Sequence, residues 1–171
     1  DPQGVAPNQP FPHKWIYPLW FAFTAALIVI AIVLGMRGSK KVFEKTFKMG
    51  AAAPGAEPVP IFADEEIPFE SRRNVRITAT TSLQNSWMHI SGQLFRDEDG
   101  LLQTFELPVE YYSGTDGGES WSEGSKTASM YLSALPPGKY KLGVSADSEK
   151  PQAPESFTLR IDEGAFHWTN F

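Results

Sequence analysis

The hydrophobic pattern divides this chain into two unlike parts. From Trp15 to Met36 the residues read WIYPLWFAFTAALIVIAIVLGM, without a charge, and between Leu19 and Leu34 the one polar side chain is Thr24. At about 1.5 Å of rise per residue this stretch makes roughly 33 Å of helix, enough for a hydrocarbon core of about 30 Å. A single segment inside lipid has to be helical, because no water is there to satisfy its backbone. The pattern therefore predicts a transmembrane helix over 15–36.

Beyond it the apolar residues fall into short runs with a period of two. NVRITAT (74–80) places Val75, Ile77 and Ala79 on one face. SWMHISGQLF (86–95) gathers Met88, Ile90 and Leu94, with Trp87, His89 and Phe95 opposite. VFEKTFK (42–48), LLQTFELPVEYY (101–112), TASMYLSAL (127–135), GKYKLGVSA (138–146) and ESFTLRID (155–162) are further strand candidates. DEDG (97–100) signals a hairpin, and Pro108 predicts an edge position or a bulge. In LPPGKYKLGV the prolines fix φ, Gly138 frees the backbone, and Tyr140, Leu142 and Val144 follow on one face. None of these runs sustains a helical period. The expected fold is one transmembrane helix followed by an all-β antiparallel sandwich or jelly roll. The expected organisation is a Pro-rich leader (1–14), the helix (15–36), a juxtamembrane strand and linker (37–60) and the sandwich (61–171).

The flanks of the apolar segment favour a span. Trp15, Tyr17 and Trp20 suit the headgroup layer at one end, and Arg37, Lys40 and Lys41 close the other. Pro18 falls in the first turn, where its missing N–H costs little. A cleaved signal peptide would have a shorter apolar region and a small-residue cleavage site, which RGSKKVFEK does not offer.

Composition narrows the chemistry. The formal net charge is −5, from 15 Lys and Arg against 20 Asp and Glu, and this argues against a nucleic-acid partner. There is no cysteine, so disulfides, thiolate zinc sites, iron–sulfur clusters and cysteine nucleophiles are excluded. No G-x-S-x-G elbow, Gly-rich phosphate loop or H-E-x-x-H motif occurs. His13, His89 and His167 are far apart, and His89 reads as a surface or half-buried strand residue. The expectation is a chain that is not an enzyme and carries no cofactor.

Two stretches stand out. In YYSGTDGGESWSEGSK (111–126), Asp116, Glu119 and Glu123 offer hard oxygen ligands of the kind Ca²⁺ takes, although the spacing is not that of the twelve-residue calcium loop. The plainer reading is a long ordered hairpin loop with Trp121 packed down on the sandwich, or Trp121 in contact with a partner. Arg72, Arg73 and Arg76 form a local basic patch. It reads as a solvated strand edge, or as a contact for lipid headgroups or an acidic partner.

The YYSGTDGGESWSEGS stretch, with SALPPGKYKLGV after it, resembles an uncharacterised family of bacterial membrane proteins. VFEKTF and the final FHWTNF are also similar, so the resemblance runs from about Val42 to the end. The resemblance implies a cytosolic domain of unknown function before the membrane helix, a β-rich extracytoplasmic domain after it, and usually two further helices, the first entered through an aromatic stretch like FHWTNF. It brings no reaction and no catalytic residue. Positive-inside reasoning points the other way: Arg37, Lys40, Lys41, Lys45 and Lys48 follow the helix, and Lys14 precedes it beside His13. Lys45 and Lys48 belong to the first strand candidate, which weakens that argument, and the extracytoplasmic placement at a bacterial inner membrane is preferred.

The function expected is that of a non-catalytic accessory subunit in a multi-subunit membrane complex, photosynthetic or respiratory for example. Its helix, with Ala22, Ala25, Ala26 and Ala31, would pack beside other membrane helices and lipid, and its sandwich would dock on neighbouring subunits. The alternative is a membrane-tethered binding module for carbohydrate, Ca²⁺ or peptide that uses residues 113–125.

Overall fold

The computed structural model describes residues 4, 13–36, 38–49, 58–149 and 156–165. Nearly all of the leader, Arg37, most of the Gly/Ala/Pro stretch and the final FHWTNF lie outside the described residues. The chain forms two compact units, Asp1–Arg37 and Gly38–Phe171.

In the first unit a 3-10 turn, His13–Trp15, leads into helix α1, Ile16–Met36. Its Ile16–Val33 stretch has a mean hydropathy of 2.3, and none of it is buried against protein. The helix is long and apolar enough to cross a membrane. Pro18 is its third residue, among the first N–H positions that have no intrahelical acceptor.

The second unit consists of ten antiparallel strands. They are β1 (Lys40–Lys48), β2 (Ile61–Phe62), β3 (Ile67–Phe69), β4 (Arg73–Thr81), β5 (Ser86–Arg96), β6 (Leu101–Asp116), β7 (Glu119–Ser125), β8 (Thr127–Leu135), β9 (Gly138–Ser148) and β10 (Ser156–Glu163). One sheet has the order β1-β10-β4-β8; the other has β2-β9-β5-β6-β7, with β3 also paired to β9. The fold is a helix followed by a β-sandwich, as the two periodicities predict.

Alternation explains how the strands face. Val75, Ile77 and Ala79 of β4 point inward with Phe157, Leu159 and Ile161 of β10. From the other sheet come Met88, Ile90 and Leu94, then Phe105, Leu107 and Val109, then Tyr140, Leu142 and Val144. All are buried in one core. The Phe105 ring lies across its partner Gly92, where a Cβ would come within 2.1 Å of it, so only glycine fits.

Turn chemistry ties the ends together. The Tyr140 hydroxyl donates to the Pro136 carbonyl at 2.9 Å, which pins the LPPGKY turn. Arg96 donates from Nη1 to the Pro137 carbonyl at 2.6 Å and from Nε to Asp99 Oδ1 at 2.9 Å, linking that turn to the β5–β6 hairpin. Gly100 closes that hairpin at φ 69°.

The structure corrects two expectations about organisation. β1 is not a juxtamembrane strand apart from the sandwich: it pairs with β10 along its length, and its Phe43 and Phe47 sit in the core. The domain therefore begins near Gly38. The Arg patch is not at a strand edge either, because β4, which carries Arg73 and Arg76, is interior to its sheet. Pro108 does fall at an edge. β7 covers β6 only from Glu110 onward, so the Leu101–Val109 part of β6 has β5 on one side and no described strand on the other.

Candidate functional site

The expected calcium ligands do not converge. Residues 111–125 form no loop: β6 and β7 continue as a two-stranded ribbon, turned at Gly117 and Gly118 with φ of 58° and 91°. Positive φ at both central residues gives the two-residue turn whose twist matches a hairpin. Asp116 faces Glu119 at the tip, while Glu123 faces Tyr112, four residues or about 13 Å further along. Among the described residues no group of three or more His, Asp or Glu side chains is placed to hold a metal ion.

Trp121 does not pack down on the core. It lies across its partner Gly114, where a Cβ would come within 2.9 Å of the indole, and it stays half exposed. The ring covers the bare backbone of the opposite strand, and this compensates for a glycine-rich ribbon. Trp15, Tyr17 and Trp20 are exposed in the first turns of the helical unit. Lys40 and Lys41 belong to β1 and pair with Glu70 and Glu44. Arg37, and with it one of the proposed interface cations, lies outside the described residues.

The Arg72, Arg73 and Arg76 patch is not a single surface. Arg76 donates to Asp162 Oδ2 at 3.1 Å, and Arg160 grips the same carboxylate through Nη2 at 2.8 Å. Asp162 is 0% exposed. Burial works to raise its carboxyl, but the hydrogen bonds from Arg160 and Arg76 outweigh it and hold the group below its ordinary value. Arg73 and Arg72 are exposed at the start of β4, and Arg73 adds its charge near Glu163. Glu163 is buried and is also held low: burial opposes its charge, while Ser71 donates from both N and Oγ, at 2.8 and 2.7 Å.

Two hollows among the described residues lie on the outer face of the six-stranded sheet. A hollow of about 530 Å³ is lined by Trp87, His89, Pro108, Glu110 and Asp147, together with backbone of the intervening residues. A second, of about 400 Å³, lies over the next rows of the same strands, at Ser91, Gln93, Thr104, Glu106 and Ser145, with Pro60 beside it. Strand register explains the grouping. Asp147, His89 and Pro108 form one cross-strand row, and Ser145, Ser91 and Glu106 form the next. His89 Nε2 is 3.7 Å from Glu106 Oε2. Gly143, Gln93 and Thr104 form a further row.

Among the described residues, the same face carries most of the large exposed apolar side chains of the domain. Trp87, Phe95, Leu102, Trp121 and Phe62 are between 36% and 63% exposed, and the pairings put all five on the outer side of this sheet. Phe62 leans over Gly143, within 3.0 Å of where a Cβ would stand. The alternation in 86–95 already placed Trp87, His89 and Phe95 away from the core. Sequence alone did not show that Glu106, Pro108, Glu110 and Asp147 join them, because that depends on the pairing of β5 with β6 and β9.

The arrangement offers carboxylate and hydroxyl acceptors beside aromatic rings. His89 has a contact with Glu106 and none with a serine hydroxyl among the described contacts, and the Ser71 hydroxyl is spent on the buried Glu163 carboxylate at 2.7 Å. No family model matches the chain, and no curated protein matches it in sequence.

Proposed function

We propose that this chain is a membrane-anchored, non-catalytic docking subunit, held by α1 and presenting the outer face of the six-stranded sheet to a neighbouring protein. One observation carries the reading: among the described residues, five of the six large apolar side chains exposed on the domain share that face, the sixth being Val59 in the segment before β2. Exposed apolar residues grouped on one face and rimmed by polar groups mark contact surfaces, whereas singly scattered ones carry no such meaning. α1 has an apolar surface with no protein cover of its own, which fits lipid and other membrane helices. The family resemblance supports an extracytoplasmic position for the domain, and protease protection in oriented vesicles tests that side.

The docking reading is tested on the full chain in native membranes. Chemical cross-linking followed by mild-detergent purification is expected to yield a defined neighbour. The triple variant Trp87→Ser, Phe95→Ser, Trp121→Ser is expected to lose it while keeping its membrane insertion and unfolding midpoint. A monomer that cross-links to nothing, or a neighbour held equally well by the triple variant, overturns the reading.

A further inference from the structure

The charges of the domain are distributed unevenly. Elsewhere on it many cations are matched by carboxylates: Lys40 with Glu70, Lys41 with Glu44, Lys45 with Asp64, Arg96 with Asp99, Lys139 with Glu66, Lys141 with Asp97, and Arg76 and Arg160 with Asp162. The trough over β9, β5 and β6 is different. Glu106, Glu110 and Asp147 line it, and no lysine or arginine does. Among the described residues none of the three carboxylates pairs with a lysine or arginine; the nearest base is His89, 3.7 Å from Glu106. Glu149 adds a fourth carboxylate next to this end: its backbone N–H donates to the Trp87 carbonyl at 3.3 Å, and its charge, with that of Glu110, is felt at Tyr112.

The shape suits an extended chain. The two hollows that make up this trough occupy successive rows of the same strands and together span from the Trp87 row to the Gln93 row, six residues or about 20 Å. Its floor is low at Ser91, Ser145 and Gly143. Glu106 and Glu110 stand on the same wall four residues apart, roughly 13 Å, and Asp147 faces them from β9 across β5. Trp87 presents an exposed indole at the acidic end, where a cation above the ring gains from its quadrupole as well as from the carboxylates. The lining carries three carboxylates and no lysine or arginine, so its net field disfavours an anionic occupant and favours a cationic one.

We infer that this trough receives an extended segment of a partner protein whose lysine or arginine side chains, four residues apart on one side, meet Glu106 and Glu110, with a third cation between Asp147 and Trp87. The inference rests on the docking reading above and names the chemistry of the partner that this face takes. Charge complementarity of this kind sets orientation and rate of encounter, while the exposed aromatic residues beside the trough supply the apolar part of the contact.

The test uses the full chain in a polyoxyethylene detergent, which brings neither charge nor sugar to the trough. The probe is a fluorescein-labelled nine-residue peptide of alternating lysine and serine, read by anisotropy at about 0.1 M salt. A glutamate–serine peptide and a neutral hexasaccharide serve as comparators. The lysine peptide is expected to bind, the glutamate peptide not to, and the double variant Glu110→Gln, Asp147→Asn to weaken binding at least tenfold. The control Asp116→Asn, Glu119→Gln removes as much charge from the ribbon tip and is expected to weaken binding less than twofold. The trough substitutions replace exposed carboxylates by isosteric amides, and an unchanged unfolding midpoint confirms that they fold. No binding of the lysine peptide at millimolar concentration, equal weakening in the control pair, or binding of the hexasaccharide in its place overturns the inference. The docking reading fails separately, through the cross-linking of the aromatic variant. Retained cross-linking to a neighbour together with no peptide binding removes only the cationic segment.

Discussion

The two outer faces of the sandwich use polar residues in opposite ways. On the four-stranded sheet the groups satisfy one another. Thr46 and Thr158 are 2.8 Å apart, Thr78 and Ser129 2.9 Å, and Thr80 and Thr127 3.4 Å, in register across β1, β10, β4 and β8. Beyond these rows Arg76 and Arg160 close over Asp162. Cross-strand hydroxyl and charge pairs of this kind stabilise a sheet and leave little unspent for a ligand. On the six-stranded sheet the rows pair unlike groups, Trp87 with Glu110 and His89 with Pro108, and the carboxylates remain open beside exposed rings. One face is closed by its own chemistry and the other is open, which is why recognition is proposed for the open one.

The sharpest way to break this comparison is to open the closed face. Asp162→Asn removes the charge that two guanidinium groups share and leaves them facing a neutral amide. Hydrogen bonds to charged groups contribute roughly 1.5–3 kcal/mol each when one side is buried, and both arginines here are partly solvated. We expect a loss of about 2–3 kcal/mol, read as a lower denaturant midpoint with an unchanged slope. Peptide binding at the trough should be unaffected. The sign of the pH dependence follows from the same residue. The Asp162 carboxyl is held below its ordinary value of 3.8 and Glu163 below 4.5, so the folded state binds fewer protons than the unfolded one at those pH values. Their contribution is whole above the ordinary carboxylate range and is lost as pH falls through the depressed folded values. Unfolding midpoints measured from pH 6 down to pH 2.5 should fall steeply below about pH 4 in the native protein and less steeply in Asp162→Asn. Equal slopes would show that this carboxylate does not hold the face closed.

How each face could be read in the sequence follows from the range of the interactions that make it. Period-two alternation gave the core of β4, β5 and β9, because inward residues recur within one strand. It also gave the outward set Trp87, His89 and Phe95. It could not place β1, whose partners in β10 lie more than a hundred positions away, and a Gly/Ala/Pro stretch after it suggested a separate element. Nor could it show that 111–125 is a ribbon, since Gly, Ser, Asp and Glu have poor strand propensity. There the DGG turn and the register carried over from β6 override composition. The Arg patch misled for the same reason: Arg72, Arg73 and Arg76 are neighbours in sequence, but the Arg76 partner, Asp162, arrives from β10. The trough depends on three strands whose segments are each unremarkable alone.

A smaller effect probes how the ribbon extends the open face. In Gly114→Ala the new methyl group would stand within 2.9 Å of the Trp121 indole, which has to move. The ring is half exposed and can swing outward, so the cost should be about 0.5–1 kcal/mol, the scale of one cross-strand pair. The expected signature is optical: a red-shifted indole emission and easier quenching by acrylamide. These should be absent in the Gly114→Ala, Trp121→Phe double variant. An unchanged spectrum would mean that the indole does not lie over Gly114 in solution, and the ribbon would then add little to the contact surface.

The smallest expected effect on stability bears most directly on the difference between the faces. Glu110→Gln and Asp147→Asn alter exposed side chains with no lysine or arginine partner among the described residues. Surface substitutions of this kind usually change stability by no more than about 0.5 kcal/mol. The amide oxygen at position 147 can still accept the hydrogen bond that the Ser148 N–H gives Asp147 at 2.9 Å. Removing like charge from a trough that already holds Glu106, with Glu149 beside it, relieves repulsion, so the sign should be neutral to slightly stabilising. The gain should shrink as salt screens the cluster. Groups selected to hold a fold lose stability when they are neutralised, as Asp162 should. Groups kept open for a cationic partner lose only the partner. A destabilisation at Glu110 or Asp147 comparable to that at Asp162 would therefore make the two faces equivalent and remove the reason for assigning recognition to one of them.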